Sequence, residues 1–298
     1  MKLAIITINY NSSENTIKLL ESLKNQTDKD FEVIVVDNNS HDVGKLMDYQ
    51  TSETNIIYIK NDQNLGYSGG NNMGIRKALQ NGTDWVLLLN NDTWVEDTFM
   101  GRLRAVLDPS AGSGQGEKKG IVGLALDEGE RTAFGGLVQW LKPTLSHITM
   151  SNIVMAKSVD KSYAIGGAML IHKSVFERIG LLDENYFLYF EDADFCQRAR
   201  KARIPVSFLP GIKISHSVSA STKKLGAPLL LHYHYRNALY FNFKNGPWYI
   251  KLLVWPWSWL IVVKQIIKIL AGKNKEQSLA ILKGIEDWYT CRMEKLHD

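Results

Sequence analysis

Four short stretches of this 298-residue sequence carry side chains whose types and spacing can do chemistry. Asp37 follows the apolar run Val33-Ile34-Val35-Val36 and precedes Asn38-Asn39-Ser40. A carboxylate at the end of a strand, beside a helix N-terminus, can accept hydrogen bonds from a ribose or from a base N–H; it can equally cap the next helix. Asn90-Asn91-Asp92 ends a second apolar run, Val86-Leu87-Leu88-Leu89. Asp92 can hold a hard divalent cation, which takes oxygen ligands and completes its shell with substrate phosphates; a helix cap is the plainer alternative. Residues 64–72, Asn64-Leu65-Gly66-Tyr67-Ser68-Gly69-Gly70-Asn71-Asn72, combine three glycines with three asparagines at the opening of a helix. Backbone there can approach a ligand closely while the amides bond it. The spacing is not that of the dinucleotide fingerprint, and no phosphate-loop motif is present.

The fourth stretch, Glu191-Asp192-Ala193-Asp194, opens a helix behind the aromatic run Tyr186-Phe187-Leu188-Tyr189-Phe190. The helix dipole favours acidic residues in a first turn, and Asp194 stands four residues before Arg198, where an ion pair forms. A carboxylate beside aromatic walls is also where a general base belongs. Residues 192 and 194 lie roughly 200° apart on a helix, so one of them at most faces a given pocket. The choice falls on Asp192. His216, in Ile214-Ser215-His216-Ser217, is a lone histidine, structural by default. His232 and His234 are two apart, on different faces of a helix, and so make no metal pair.

The elements that must position these residues alternate. Strand-like runs at 3–8, 31–36, 56–59 and 85–89 are separated by helix-like segments at 13–25, 41–50 and 71–81, with 95–107 following the fourth strand. That order predicts a parallel sheet covered by helices on both faces, in which ligands bind beyond the carboxyl ends of the strands. Residues 110–119, rich in Gly, Ser and Lys, read as a mobile surface loop. Short strands are expected at 121–126, 137–141 and 164–172, helices at 174–179 and 191–202, and helical hairpins from about 225 onward.

Composition sets the outer limits. With 45% hydrophobic and 22% charged residues the chain is no disordered polymer. Cys196 and Cys291 build no disulfide framework, and no basic, apolar and small-residue leader pattern precedes the run at 3–8, so a cytoplasmic location is expected. The net charge of +4 hides an asymmetry: residues 1–195 hold 18 Lys and Arg against 26 Asp and Glu, and residues 196–298 hold 17 against 5. Aromatic and apolar companions in the basic tail favour an anionic membrane over nucleic acid. The twelve uncharged residues 252–263 are too few for a crossing and are interrupted by Pro256; their tryptophans suit the headgroup boundary.

Taken in order, Asn9-Tyr10-Asn11, Val-Val-Asp-Asn-Asn-Ser, Asn-x-Gly-Tyr-x-Gly-Gly-Asn-Asn, Leu-Asn-Asn-Asp, Gly-Gly-Ala-Met-Leu-Ile and Glu-Asp-x-Asp resemble the family 2 inverting glycosyltransferases of GT-A fold, especially their bacterial rhamnosyltransferase-like branch, over about residues 3–245. The resemblance implies an α/β fold, a Rossmann-like mixed sheet flanked by helices, with a GT-A catalytic domain at 1–224: a nucleotide-sugar half at about 1–107 and an acceptor half at about 119–224. A helical, amphipathic C-terminal region at 225–298 follows. It further implies that Asp37, Asn9 and the backbone near Thr7 hold the donor nucleoside, that Asn64, Gly69, Gly70 and Asn91 border the donor, and that Gly166, Gly167 and Glu191 line the acceptor side. Asp92 matches the second carboxylate of the family's Asp-x-Asp metal motif, with Asn90 in place of the first; His216 would complete the shell of Mg2+ or Mn2+, and Asp192 matches the catalytic base.

The implied reaction is transfer of a sugar with inversion, L-rhamnose from dTDP-rhamnose being favoured, to a hydroxyl of a glycan or polyprenyl-diphosphate-linked acceptor in cell-surface polysaccharide biosynthesis. A cation on the leaving diphosphate and a carboxylate opposite are what such a transition state needs. Two other readings stand beside it. A sugar-1-phosphate nucleotidyltransferase would carry an Arg- and Lys-bearing glycine loop where this chain has Asn9-Tyr10-Asn11-Ser12-Ser13, and a catalytically silent glycan- or nucleotide-binding module would need no base. In the tail, Trp248, Trp255, Trp257 and Trp259 are expected at the inner-leaflet surface, the alternative being a helical core or a homodimer contact.

Overall fold

The computed structural model describes residues 1–49, 55–108, 119–129, 131–149, 161–217 and 227–293. The glycine- and serine-rich loop expected at 110–119 lies, apart from Lys119, outside the described residues.

Strands β1 (Leu3–Asn9), β2 (Glu32–Asp37), β3 (Asn55–Lys60) and β4 (Trp85–Leu89) are parallel and carry near-continuous apolar runs, because helices cover both faces of the sheet. Helices α1 (Ser13–Lys24), α2 (Val43–Met47) and α3 (Gly66–Gln80) provide the crossovers. After β4 come the two-residue β5 (Thr93–Trp94) and α4 (Phe99–Leu107). The second half adds β6 (Ile121–Asp127), β7 (Thr132–Leu137), β8 (Ser146–Thr149), β9 (Ser162–Tyr163), β10 (Ala168–His172), α5 (Lys173–Ile179), α6 (Glu191–Lys201) and β11 (Val206–His216). The sheet runs β3-β2-β1-β4-β10-β6-β11-β5, with β7 paired to β6, β8 and β9. Beyond β4 it is mixed: β10 runs antiparallel to both β4 and β6. One core face gathers Ile6, Ile34, Ile75 and Leu88 with Phe195 and Cys196; the other packs Leu19, Leu20 and Leu23 of α1 with Leu103 of α4 on Ile5, Val33 and Leu87.

The strand expected at 164–172 is confined to β10, Ala168–His172, with 164–167 forming a turn between it and β9. Three further elements depart from expectation, each for a packing reason. Helix α3 begins at Gly66, not at Asn71: a Cβ on Gly66 would meet the Phe187 carbonyl at 2.3 Å, so a weak helix former is required there and tertiary contact overrides propensity. The strand expected at 137–141 is instead β7, Thr132–Leu137, which contains Gly135 and Gly136. Glycines weaken a strand, but here they admit the Phe208 and Tyr163 rings, which would lie 2.4 and 2.1 Å from a Cβ. Helix α4 starts at Phe99, because Thr93 and Trp94 pair with β11 first.

The chain then forms α7 (Ala227–Asn245), α8 (Trp248–Leu270) and α9 (Lys275–Tyr289). Leu239, Val254, Ile261, Ile281, Ile285 and Trp288 make a small core among these three. Ala238 and Phe241 of α7 belong to the main core, so this helix is packed into the α/β body. Helix α8 continues through Pro256, which removes the hydrogen bond usually made to the Leu252 carbonyl. At 23 residues, with Lys251 and Lys264 inside it, α8 is long and apolar enough to cross a membrane, which corrects the expectation that this stretch is too short. Trp248, Trp255 and Trp259 lie on its exposed side, whereas Trp257 turns inward against both cores.

Candidate active site

The carboxyl ends of β1, β2 and β4 converge, and their polar residues bond chiefly to one another. Asn9 Nδ2 donates to Asp37 Oδ1 at 2.8 Å, to Ser40 Oγ at 3.0 Å and to Ser13 Oγ at 3.1 Å. Asn9 Oδ1 accepts from Thr16 Oγ1 at 2.9 Å, which in turn accepts from Asn91 Nδ2 at 2.9 Å. Asp37 also accepts from the Ser40 backbone N–H at 3.0 Å, which closes the turn after β2; it does not cap the next helix, which starts at Val43. Asp37 is 1% exposed and Asn9 fully buried, so both serve here as braces behind the cleft wall. Thr7 is fully buried on β1 with its hydroxyl unpaired.

In front of this brace opens a cleft of about 720 Å3. Asn64, Asn91, Asp92, Gly166, Gly167, Glu191 and Asp192 all line it, so the carboxylates of Asp92 and Asp192, a hundred residues apart in the chain, share one cavity. Tyr67 lines it too: burial and then the charges of Glu191, Asp192 and Asp92 push its hydroxyl pKa well above the usual value. Gly69 and Gly70 are not in the lining. Their missing side chains make room for Leu65 and for the Asn38 amide, 2.7 and 2.8 Å from where each Cβ would stand. Gly167 does the same for Asn90, whose amide would lie 2.6 Å from a Cβ.

Asp192 is held by backbone. Its Oδ2 accepts from Gly166 N at 3.1 Å and its Oδ1 from Ala193 N at 2.7 Å. Burial pushes its carboxyl up to about 6, against the downward pull of those N–H groups. Glu191, 6% exposed and with Oε2 unpaired, is pushed well above the usual range by burial and then by the neighbouring Asp192 charge. Asp194 turns away: fully buried, it pairs with Arg198 at 2.7 Å, Lys244 at 2.8 Å and Asn245 at 2.7 Å. Of the three acidic residues, Glu191 and Asp192 thus line the cleft and Asp194 is a strut.

At the other end, His216↔Thr93 pairing of β11 with β5 brings His216 Nε2 to 3.2 Å from Asp92 Oδ1. Glu128 Oε1 lies 3.4 Å from the other ring nitrogen. Burial opposes charge on this imidazole, but Asp92 and then Glu128 outweigh it and hold the pKa above its usual value. Asp92 Oδ1 is buried with the His216 imidazole beside it, and a carboxylate oxygen next to an imidazole nitrogen is a donor set that Mn2+ accepts, so these residues fit a divalent cation. Among the described residues no cluster of three or more His, Cys, Asp or Glu forms a complete metal cage. Glu128 has no sequence signal beyond a turn; the sheet register alone delivers it to His216.

The sequence profile described as Glycosyl transferase family 2 matches residues 4–180. The chain belongs to that family. This family 2 transferase is 32% identical to the low-salt glycan biosynthesis hexosyltransferase of Haloferax volcanii over 242 residues, 79% of this chain and 73% of the relative. It is 25% identical to a dTDP-rhamnosyl transferase of Shigella flexneri, covering 80% and 79% of the two chains. With the N-acetylglucosaminyl-diphospho-decaprenol L-rhamnosyltransferase of Mycobacterium tuberculosis it shares 21% identity over 95% and 98%. A mannosyltransferase of Pyrobaculum calidifontis, solved with GDP-Man and Mn2+, has the same GT-A fold at TM-score 0.55 and 12% identity, over 96% of this chain and 86% of that one.

Proposed function

We propose that this transferase moves L-rhamnose, with inversion, from dTDP-rhamnose to a hydroxyl of a glycan or lipid-diphosphate-linked glycan. The single observation that carries the catalytic part is that Asp92 and Asp192 line one cleft with Tyr67. Each Asp192 oxygen accepts one backbone N–H and keeps a free lone pair. Asp192 therefore stands ready to accept the acceptor hydroxyl's proton, while Gly166 N and Ala193 N fix its carboxyl group. Asp92 and His216 would hold Mg2+ or Mn2+, which supplies positive charge for the leaving diphosphate. The Asn9-Asp37-Thr16-Asn91 brace keeps the strand ends rigid behind the nucleotide, and the aromatic walls Phe187 and Tyr189 exclude water from the acceptor side. The choice of dTDP-rhamnose and of a lipid-diphosphate acceptor draws on the printed names of the Shigella and mycobacterial relatives.

The basic tail supports work at the inner leaflet of a cytoplasmic membrane. Helix α8 buries Ile250, Val254, Ser258, Ile261 and Gln265 against its neighbours and leaves Trp248, Leu252, Trp259, Leu260, Ile267 and Leu270 between 60% and 83% exposed. A helix that crossed the bilayer would forfeit those buried contacts, so α8 is assigned to the interface plane, with Lys251, Lys264 and Lys268 toward anionic headgroups.

The test is a panel of dTDP-rhamnose, UDP-GlcNAc and GDP-mannose, with and without Mn2+, scored for hydrolysis and for transfer by wild type and Asp192→Asn. Cation-dependent turnover of one donor, lost in the variant, is expected; near-wild-type turnover by Asp192→Asn overturns the assignment. For the tail, failure of the protein to co-float with anionic vesicles at low salt removes the membrane role.

A further inference from the structure

Resting on the reading of Asp192 as the base, we propose that Asn237 of α7 is a positioning residue for the reaction: its amide holds the left-handed turn from which Asp192 is aimed into the cleft. Asn237 is fully buried, and its Nδ2 donates to the Leu188 carbonyl at 2.7 Å and to the Tyr189 carbonyl at 3.0 Å. Its Oδ1 accepts from Arg236 Nε at 3.0 Å, which fixes the amide with its donors toward the turn.

The turn needs such a hold. Tyr189 and Phe190 sit at φ of 72° and 74°, a region that bulky L residues occupy only when their surroundings impose it. Phe190 is the N-cap of α6, and the Asp194 N–H donates to its carbonyl at 2.8 Å, so the two strained torsions set where the helix starts and how residue 192 is turned. Returned to the ordinary right-handed region, they would swing the Asp192 carboxylate off the Gly166 N–H. An asparagine is a poor interior helix residue, yet this one occupies the middle of a 19-residue helix with both polar ends of its side chain engaged.

The rest of α7 grips the same segment on either side. The His234 ring stacks on Tyr189 at 4.2 Å and 8°, and Tyr233 stacks on Phe187 at 5.3 Å and 20°. Beyond the base, Lys244 and Asn245 hold Asp194. Residues 187–189 and 194 are thereby clamped to α7, and Glu191 and Asp192 between them face the cleft. Asn237 itself does not line the cleft and acts only through the base.

The experiment uses the full-length chain with Asn237→Leu, close in shape and without donors, on whichever donor of the panel the wild type turns over. We expect kcat to fall about 10- to 100-fold, the effect of roughly 1 Å of misplacement. Affinity for the free nucleotide, dTDP for the favoured donor, should stay within about threefold of wild type, because the donor side of the cleft is braced separately. The acid limb of the kcat–pH profile should move upward, since loosening the Gly166 contact removes a bond that favours the ionised base. Tyr189→Gly, which relieves the strain at one of the two torsions, should return at least about threefold in kcat when added to Asn237→Leu, beyond the product of the two single effects. Unchanged kcat in folded Asn237→Leu, a parallel loss of nucleotide affinity, an unmoved pH profile, or additive single effects would each overturn the proposal alone. Absence of turnover by wild type across the panel overturns the parent reading and this one with it. Should Asn237→Leu not fold, Asn237→Ser, smaller and still polar, decides: a kcat loss of about three- to tenfold at constant nucleotide affinity is expected, and none overturns the proposal.

Discussion

Two ends of the same cleft treat polar atoms in opposite ways. Behind the donor side, Asn9, Asp37, Thr16 and Asn91 are buried and bonded to one another, each amide or hydroxyl ending on a neighbour's oxygen. At the opposite end, Glu191 Oε2 is buried with no hydrogen-bond partner, and Asp92 Oδ1 has the His216 imidazole at 3.2 Å. A satisfied buried network adds stability, while an unsatisfied buried oxygen costs it. The difference teaches that Asn9 and Asp37 are bound into the scaffold, while Glu191 Oε2 keeps an unmet bond.

The comparison breaks or sharpens through substitutions at both ends. The largest effect belongs to Asp192→Asn, which should lower kcat by about 10²–10⁴-fold, the worth of a general base, with nucleotide affinity retained in a titration. Next, Glu128→Gln should weaken Mn2+ by about 10–100-fold through loss of the partner that orients His216; isothermal titration with Mn2+ and nucleotide reads it directly, and unchanged affinity would remove His216 from the cation site. A smaller effect is expected with pH. Because the Asp192 carboxyl sits at about 6 and must be ionised to accept a proton, kcat is flat above that pH and falls about tenfold per unit below it; a flat profile down to pH 5 contradicts the assignment. The smallest effects concern stability and should differ in size at the two ends. Asn9→Ala leaves Asp37 and Thr16 with unmet bonds and should cost about 1–3 kcal/mol in urea unfolding. Asp92→Asn, measured without cation, should cost less, because the one close partner of its Oδ1, His216 at 3.2 Å, can still be met by the amide oxygen. Equal losses for both would erase the distinction.

Legibility in the sequence follows the distance over which a residue finds its partner. The parallel half was readable because β1 to β4 are short apolar runs separated by helical periods, and Asp37, Asp92 and Asp192 were singled out because each ends a strand or opens a helix. Asn9 was readable as a strand-end residue but not as a brace, since its three partners come from α1 and the turn after β2. The strand at Thr132–Leu137 was missed in favour of 137–141, since the rings that Gly135 and Gly136 admit lie far along the chain. Glu128 reaches His216, 88 residues on, through sheet register, and α7 reaches the acidic turn through helix packing; no local pattern marks either. Helix α8 was read as too short because two lysines were taken to bound its apolar run and Pro256 to interrupt it, whereas the helix continues through all three.

The strut at Asp194 carries one more consequence. Its partners Lys244 and Asn245 are made some fifty residues after it, and chains are synthesised from the amino end, with early segments folding first. A nascent polypeptide can thus complete the parallel strands while its acidic turn is still unlatched. That turn gains its final hold only once α7, some fifty residues downstream, has been made.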